Sequence, residues 1–170
     1  MRFVDFLRTS VLLFGGAATA LGVVGIAGAN AKDDTVLLYV AAGWWTLAAL
    51  AGLWMGRRSA VSTSIERLLS SARAATSLPE LEPGAVLFNR LWGLAVFTVA
   101  AGAVAFLIPQ VPAIGAGYLL IVALGWRKQS SAVEAIEMRD GVQFHLERTS
   151  PFKPTRLIRT AGFRRITPVD

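Results

Sequence analysis

The side chains that could perform chemistry are few in this sequence and lie far apart. The chain has no cysteine and a single histidine, His145. Disulfides, zinc–thiolate sites, iron–sulfur clusters and thiol catalysis are therefore excluded together. His145 has no serine or cysteine nucleophile at a recognisable spacing. It lies in a strand pattern, where we expect an exposed polar side chain rather than a catalytic one.

The carboxylates do not form a convincing acid–base pair either. Glu80 and Glu82 would point to opposite sides of an extended segment. Glu134 and Glu137 share one face of a predicted helix, where such pairs are usually solvated. The glycines lie inside apolar segments and form no phosphate-binding loop. The sequence favours a non-enzymatic protein with no cofactor and no metal.

Composition indicates a membrane protein. Hydrophobic residues make up 54% of the chain and charged residues only 16%, against about 25% charged in a soluble domain. So few charges cannot cover a core of that size, so the excess apolar surface must face lipid. The net charge of +6 indicates an anionic partner surface, either nucleic acid or lipid headgroups. Abundant alanine and the excess of arginine over lysine are typical of a GC-rich bacterial genome.

Uncharged segments predict the membrane spans. Three such segments occur, and the last, residues 91–126, is too long for one span of about 20 residues. Pro109 and Pro112 interrupt it, which predicts a helical hairpin. The predicted spans are residues 11–31, 35–56, 91–108 and 112–126. The expected fold class is an all-α membrane protein, with a four-transmembrane-helix bundle in residues 1–128. A small basic cytoplasmic tail with a strand or hairpin pattern follows in residues 129–170.

Orientation follows from the basic residues. All but Lys32 of the 17 Lys and Arg residues fall in the N-terminal segment, the central loop and the segment after Trp126. The positive-inside rule places those three segments in the cytoplasm. We expect a multi-pass protein of the cell membrane with both termini cytoplasmic. Four aromatic residues lie near span ends, whereas Trp44 and Trp45 lie mid-span.

The first span also resembles a signal peptide. A charged start precedes the apolar stretch Val11–Gly28, and Ala29-Asn30-Ala31 matches a small-x-small cleavage site. The apolar stretch, however, exceeds the usual signal-peptide core of about 7–15 residues. We therefore expect the first span to stay attached.

Small residues recur along one face of the first span at a spacing of 3, 4, 3 and 4. In lipid, such residues let helix backbones approach closely. Bundle packing is the leading interpretation, and a homo-oligomer or a second membrane protein is the alternative partner. The predicted packing residues are Gly15, Ala18, Gly22, Gly25 and Ala29, together with Gly52 and Gly56 in the second span.

The central loop predicts an amphipathic helix at about residues 63–76. Thr63 and Glu66 fit a capping box, with Thr63 as the N-cap. Val61, Ile65, Leu68 and Ala72 recur at helical spacing. This apolar face would lie on anionic lipid or pack against the tail, and the sequence favours neither.

The tail begins with a helix pattern over residues 130–139. Asp140-Gly141 then ends the helix or turns a hairpin. Val142, Phe144 and Leu146 alternate with polar residues, as in a strand.

Basic residues of the tail alternate with apolar ones, among them Leu157. We expect the cations to bind lipid headgroups and the apolar side chains to enter the acyl boundary. We do not expect nucleic acid, because no motif for binding it is present. The predicted headgroup residues are Lys153, Arg156, Arg159, Arg164 and Arg165.

These features predict a small accessory or scaffold subunit that presents a basic cytoplasmic surface. No Asp, Glu, Lys, Arg or His lies within the four predicted spans, whereas transport proteins usually place such groups there. A subunit of an oligomeric transporter or channel is the alternative.

Overall fold

The computed structural model describes residues 1–57, 61–74, 83–147 and 156–161. The chain divides into two compact units. Unit 1 comprises Met1–Leu7, Ser59–Arg90 and Gln129–Asp170, and unit 2 comprises Arg8–Arg58 and Leu91–Lys128. The elements, in chain order, are α1 (Phe3–Asn30), α2 (Thr35–Met55), α3 (Thr63–Ser70), β1 (Arg73–Ala74), α4 (Pro83–Val104), α5 (Gln110–Trp126), α6 (Gln129–Asp140), β2 (Val142–Leu146) and β3 (Leu157–Ala161).

The described part of the chain is mostly helical, and three of its helices are long and apolar enough to cross a membrane. They are Phe3–Asn30, Thr35–Met55 and Gly84–Val104. Helix α5 has 17 residues, fewer than the roughly 20 that span a bilayer. It begins at Gln110, two residues before the predicted start, because Pro112 falls in the first turn. Backbone N–H groups there have no partner within the helix, so proline is tolerated.

In unit 2, α2 and α5 approach at backbone distance. A Cβ at Gly52 would lie 2.8 Å from Leu124 Cβ and 3.1 Å from Ile121 Cα. A Cβ at Gly56 would overlap the Leu124 carbonyl oxygen, and one at Gly117 would overlap the Trp44 indole. Glycine lets α5 approach Gly52 and Gly56 closely, and at Gly117 it leaves room for the Trp44 ring.

The two mid-span tryptophans of α2 bind the backbone of α5. Trp44 Nε1 donates to the Ile114 carbonyl at 3.2 Å, and Trp45 Nε1 donates to the Ala113 carbonyl at 2.8 Å. The Trp44 ring also meets Tyr118 edge-on, with 5.4 Å between centroids. These contacts explain why both tryptophans lie away from the span ends, since each indole N–H has an acceptor inside the helix pair.

The loop between α1 and α2 meets the turn between α4 and α5. Lys32 Nζ donates to the Leu107 carbonyl at 2.6 Å. A Cβ at Gly28 would lie 2.9 Å from the Ala105 carbonyl oxygen, so the end of α1 also touches this turn. Asp34 caps α2 by accepting from Leu37 N at 2.9 Å. The two connections therefore form one end of unit 2.

Unit 1 contains a three-stranded sheet in the order β1-β3-β2. Strand β1 pairs with β3 in parallel, and β2 pairs with β3 antiparallel. A core of apolar side chains draws on all three chain segments of the unit. Its buried members are Phe3, Val4, Leu7, Ile65, Val86, Val133, Val142, Phe144, Leu146 and Leu157.

The central loop differs from its predicted form. Helix α3 ends at Ser70 and strand β1 follows, so the helix does not continue through residue 74. Its N-cap is Ser62 rather than Thr63, and no side chain caps it. Instead, Gln129 Oε1 accepts from Ser62 N at 2.9 Å. The predicted capping box is therefore wrong, because Thr63 is the first residue of the helix and not its N-cap.

The apolar face of α3 packs inside the protein. Ile65 is 5% exposed, and Val61, Leu68 and Ala72 lie around the same core. Of the two interpretations left open by the sequence, the structure has the face packed against the N-terminal residues and the tail. The loop thus belongs to the same unit as residues 129–170, although its sequence position suggested the membrane region.

The helix and strand predicted at the start of the tail are confirmed. Helix α6 ends at Asp140, and Gly141 follows with a φ of +63°. This left-handed conformation favours glycine at a helix end. Of the two alternatives for Asp140-Gly141, the turn therefore ends α6 and leads directly into β2.

Candidate functional site

The edge of β2 is closed by the start of the chain. Leu146 N donates to the Met1 carbonyl at 3.0 Å, and Arg2 forms an antiparallel bridge with His145. Further along the strand, Phe144 N donates to Glu137 Oε1 at 2.9 Å. Since unpaired strand edges attract other chains, this carboxylate and the N-terminal residues together protect β2.

Glu137 is the centre of this arrangement. It is 5% exposed, and its other oxygen, Oε2, accepts from Arg2 Nη2 at 2.8 Å. The hydrogen bond that Arg2 donates to Glu137 also raises the pKa of Arg2. A buried carboxylate is tolerated only when paired and hydrogen-bonded, and here both oxygens have donors. The expectation that Glu137 is solvated is therefore wrong. Helical spacing showed that Glu134 and Glu137 share a face, but it could not show that β2 covers Glu137.

His145 lies in the same buried cluster. It is 4% exposed, and its Nδ1 lies 3.4 Å from Thr160 Oγ1. The expectation of an exposed histidine is wrong. Alternation shows which face of a strand is apolar, but it does not show whether the polar face is covered. Thr160 on β3 and the bridged Arg2 lie next to this face.

Chemically, the cluster is an anchor. The Glu137 carboxylate accepts from Arg2, while the hydrogen bond from Leu146 N to the Met1 carbonyl and the bridge between Arg2 and His145 hold Met1 and Arg2 at the sheet. Within the described residues, no group of three His, Cys, Asp or Glu side chains could hold a metal. Glu80 and Glu82, which were not expected to form an acid–base pair, lie outside those residues.

The basic surface of unit 1 includes two of the predicted headgroup residues. Arg156 and Arg159 are exposed, and so are Arg67 and Arg73 from the central loop. Arg159 is close enough to Asp140 to help lower the pKa of that carboxyl, which the hydrogen bond from Arg139 lowers most. The remaining predicted residues, Lys153, Arg164 and Arg165, lie outside the described part of the chain.

The apolar partners of these cations do not all face outward. Leu157 is 3% exposed and belongs to the core of unit 1, so the expectation that it enters the acyl boundary is wrong. Strand β3 is paired on both sides, with β1 and with β2. Along β3, Leu157 and Thr160 are buried, whereas Arg159 and Ala161 are exposed. Arg73 was missed because β1 is too short to produce an alternating pattern, and Arg67 lies on the exposed side of α3.

The predicted packing residues of α1 occupy different surroundings. A Cβ at Gly25 would lie 3.3 Å from Ala113 N, and one at Gly22 would lie 3.6 Å from the Trp45 ring. Ala18 and Ala29 are buried, whereas a Cβ at Gly15 would meet nothing within 4 Å. In α2, Gly52 packs on α5, and Gly56 does so just beyond the helix end, as described above.

Two further close-contact glycines escaped the sequence pattern. Gly28 is adjacent to Ala29 and touches the α4–α5 turn, and Gly117 faces Trp44 across α2 and α5. Gly28 continues the small-residue face of α1 from Gly25, so the same spacing could have found it. Gly117 lies in a segment with several small residues, and spacing alone does not single it out.

Comparison of the chain with protein-family models, with curated protein sequences and with solved structures finds no match.

Proposed function

We propose that the chain is a four-span protein of the cell membrane whose cytoplasmic segments fold into one basic domain. It acts as a non-enzymatic accessory or scaffold subunit, with unit 2 in the bilayer and unit 1 in the cytoplasm. The partners proposed for it are anionic lipid headgroups and a second membrane protein, which is another chain or a second copy of this one.

The distribution of exposed apolar side chains carries this proposal. Among the described residues, every exposed large hydrophobic side chain except Phe88 and Met138 belongs to unit 2. Soluble proteins rarely expose contiguous apolar surface larger than a few hundred Å². Unit 1, in contrast, buries its apolar side chains in one core. This contrast supports lipid around unit 2 and water around unit 1.

The division of the chain supports the number of spans. Three segments separated by helix pairs build unit 1, so a folded unit 1 keeps all three on one side of the membrane. Each of the helix pairs α1–α2 and α4–α5 must then cross the membrane and return to the same side. Helix α5 is short for a span, but Arg127 and Lys128 directly follow it and can reach the headgroups with long side chains.

The core of unit 1 also supports retention of the first segment. Phe3, Val4 and Leu7 are buried in it, so cleavage after Ala31 would remove part of a folded domain. We expect N-terminal sequencing of the purified protein to find the residues before Lys32 still attached. A mature chain that begins at Lys32 would contradict this.

Fusions to alkaline phosphatase test the topology, because that enzyme is active only outside the cytoplasm. A fusion at Asp34 should give high activity, and fusions at Ser77 and Asp170 should give almost none. Active phosphatase at Ser77 would place the central loop outside and overturn the arrangement. Capture in mild detergent, followed by mass spectrometry, tests the scaffold role. A stoichiometric membrane partner or a second copy supports it, whereas a purified monomer that catalyses a reaction argues against it.

A further inference from the structure

His145 lies in a row of groups that crosses the sheet of unit 1. In the strand register, Arg73 on β1 pairs with Ile158 on β3, which pairs with His145 on β2. His145 in turn bridges to Arg2. The charged groups around the imidazole are Arg2, the Met1 α-amino group, Glu137 on α6 and Asp5 on α1. Arg73 lies two strands away in the same row, and Thr160 on β3 supplies the neighbouring hydroxyl.

The nearby carboxylates are poorly placed to compensate a charge on His145. Both oxygens of Glu137 already accept hydrogen bonds, one from Arg2 and one from Phe144 N. Asp5 is exposed, so water screens its charge. Thr160 Oγ1 is also 3.4 Å from the Gln143 carbonyl, and a hydroxyl compensates a positive charge poorly. An imidazolium here would add a buried cation beside the Arg2 guanidinium.

We propose that His145 is a proton-sensitive latch, in which protonation of the imidazole releases Met1 and Arg2 from the edge of β2. Arg2 can move into water because its side chain is 41% exposed. The His145 imidazolium then becomes accessible along the opened edge. The released segment leads directly into α1, so the latch links acidification to the first helix. This inference does not depend on the proposed function.

The direction of the pH effect follows from the surroundings of the histidine. Burial lowers the pKa of His145, the Met1 α-amino group and Arg2 lower it further, and Glu137 and Asp5 oppose them. The folded latch therefore binds a proton less readily than the released one. Its stability is fully present above the ordinary histidine pKa of about 6.5. It is lost as the pH falls from there through the lowered value.

Two adjacent amides report on the latch separately. Leu146 N donates to the Met1 carbonyl, whereas Glu147 N donates to the Arg156 carbonyl on the opposite edge of β2. Hydrogen exchange of both amides is measured by NMR on the full chain in detergent, from pH 7.5 to pH 5, with correction for intrinsic rates. The protection of Leu146 should fall by up to about tenfold for each pH unit below 6.5, the limit for one proton. The protection of Glu147 should change much less.

The variant His145→Gln keeps a hydrogen-bonding side chain that does not titrate, so its Leu146 protection should not depend on pH. Equal loss at both amides, or the same loss in the variant, would overturn the latch. If the variant does not fold, the wild-type chain still decides the matter, because its single histidine gives one resolvable imidazole signal. Protonation of that imidazole without loss at Leu146 would also overturn the proposal.

Discussion

Units 1 and 2 follow opposite rules for their apolar side chains. Unit 1 gathers them from three distant segments into one core and leaves arginines outside. Unit 2 buries Leu21 and Leu119 among several alanines but leaves many large apolar side chains exposed, as with Leu47, Tyr39 and Phe106. Each arrangement suits a different solvent. Water favours burial of apolar area, whereas in lipid helices associate through close backbone packing.

The polar groups of the two units differ in the same way. In unit 2, the indole N–H groups of Trp44 and Trp45 bind backbone carbonyls of α5, and no charge is involved. In unit 1, Glu137 and Arg2 form an ion pair that is partly open to solvent. We therefore expect substitutions of the same residue type to change stability by different amounts in the two units.

The largest expected effect is removal of a core side chain from unit 1. Phe144→Ala deletes a buried ring from the core cluster and should lower the free energy of unfolding by about 3–5 kcal/mol. Met138→Ala is the matched control, because Met138 is 76% exposed and should be nearly neutral. Thermal unfolding in detergent measures both. Similar costs for the two variants would mean that unit 1 has no core of its own.

A charge placed on the exposed apolar surface of unit 2 tests whether lipid surrounds that surface. Leu47 lies near the middle of α2 and is 64% exposed. In lipid, Leu47→Arg should cost about 3 kcal/mol of insertion free energy, although the substitution creates no overlap. Met138→Arg, at an equally open position in unit 1, should insert normally. The fraction of protein that extracts with the membrane at high pH reports the difference. Normal insertion of Leu47→Arg would contradict the proposal that lipid surrounds unit 2.

Helix packing in unit 2 should depend on which glycine is changed. Gly52→Leu forces a side chain against α5, where even a Cβ would lie 2.8 Å from Leu124 Cβ. Overpacking of this kind costs about 1–3 kcal/mol. Gly43→Leu lies on the same helix, where a Cβ would meet nothing within 4 Å, and should be tolerated. In α1, Gly25→Leu should likewise lower the melting temperature more than Gly15→Leu does. Equal melting temperatures within each pair would refute the contact.

The smallest expected effect concerns the basic surface of unit 1. Each cation near an anionic membrane contributes about 1 kcal/mol, before salt screening. Arg156→Gln with Arg159→Gln should therefore reduce binding of anionic phospholipid by at most about 30-fold. Native mass spectrometry of the purified chain can count the bound lipid, and binding of neutral lipid should not change. Unchanged anionic binding would favour a protein partner for this surface.

The sequence predicted elements within each segment better than it predicted contacts between segments. Uncharged stretches located α1 and α2 to within a few residues at most ends, and alternation located β2. The pairing of Arg73 with Ile158 and the bridge from Arg2 to His145 join residues far apart in the chain. No local pattern encodes such pairing. The burial of Glu137 and His145 follows from it, which explains why both were expected to be solvated.

Single-cysteine labelling tests the central claim most directly, because the native chain has no cysteine. Leu47→Cys and Met138→Cys would be compared in opened membrane vesicles with a water-soluble maleimide. Both positions are exposed on the surface of the protein, but a thiolate forms readily only in water. We predict rapid labelling at residue 138 and almost none at residue 47 until detergent and denaturant are added. Equally rapid labelling of both cysteines in intact bilayers would show that unit 2 is not surrounded by lipid.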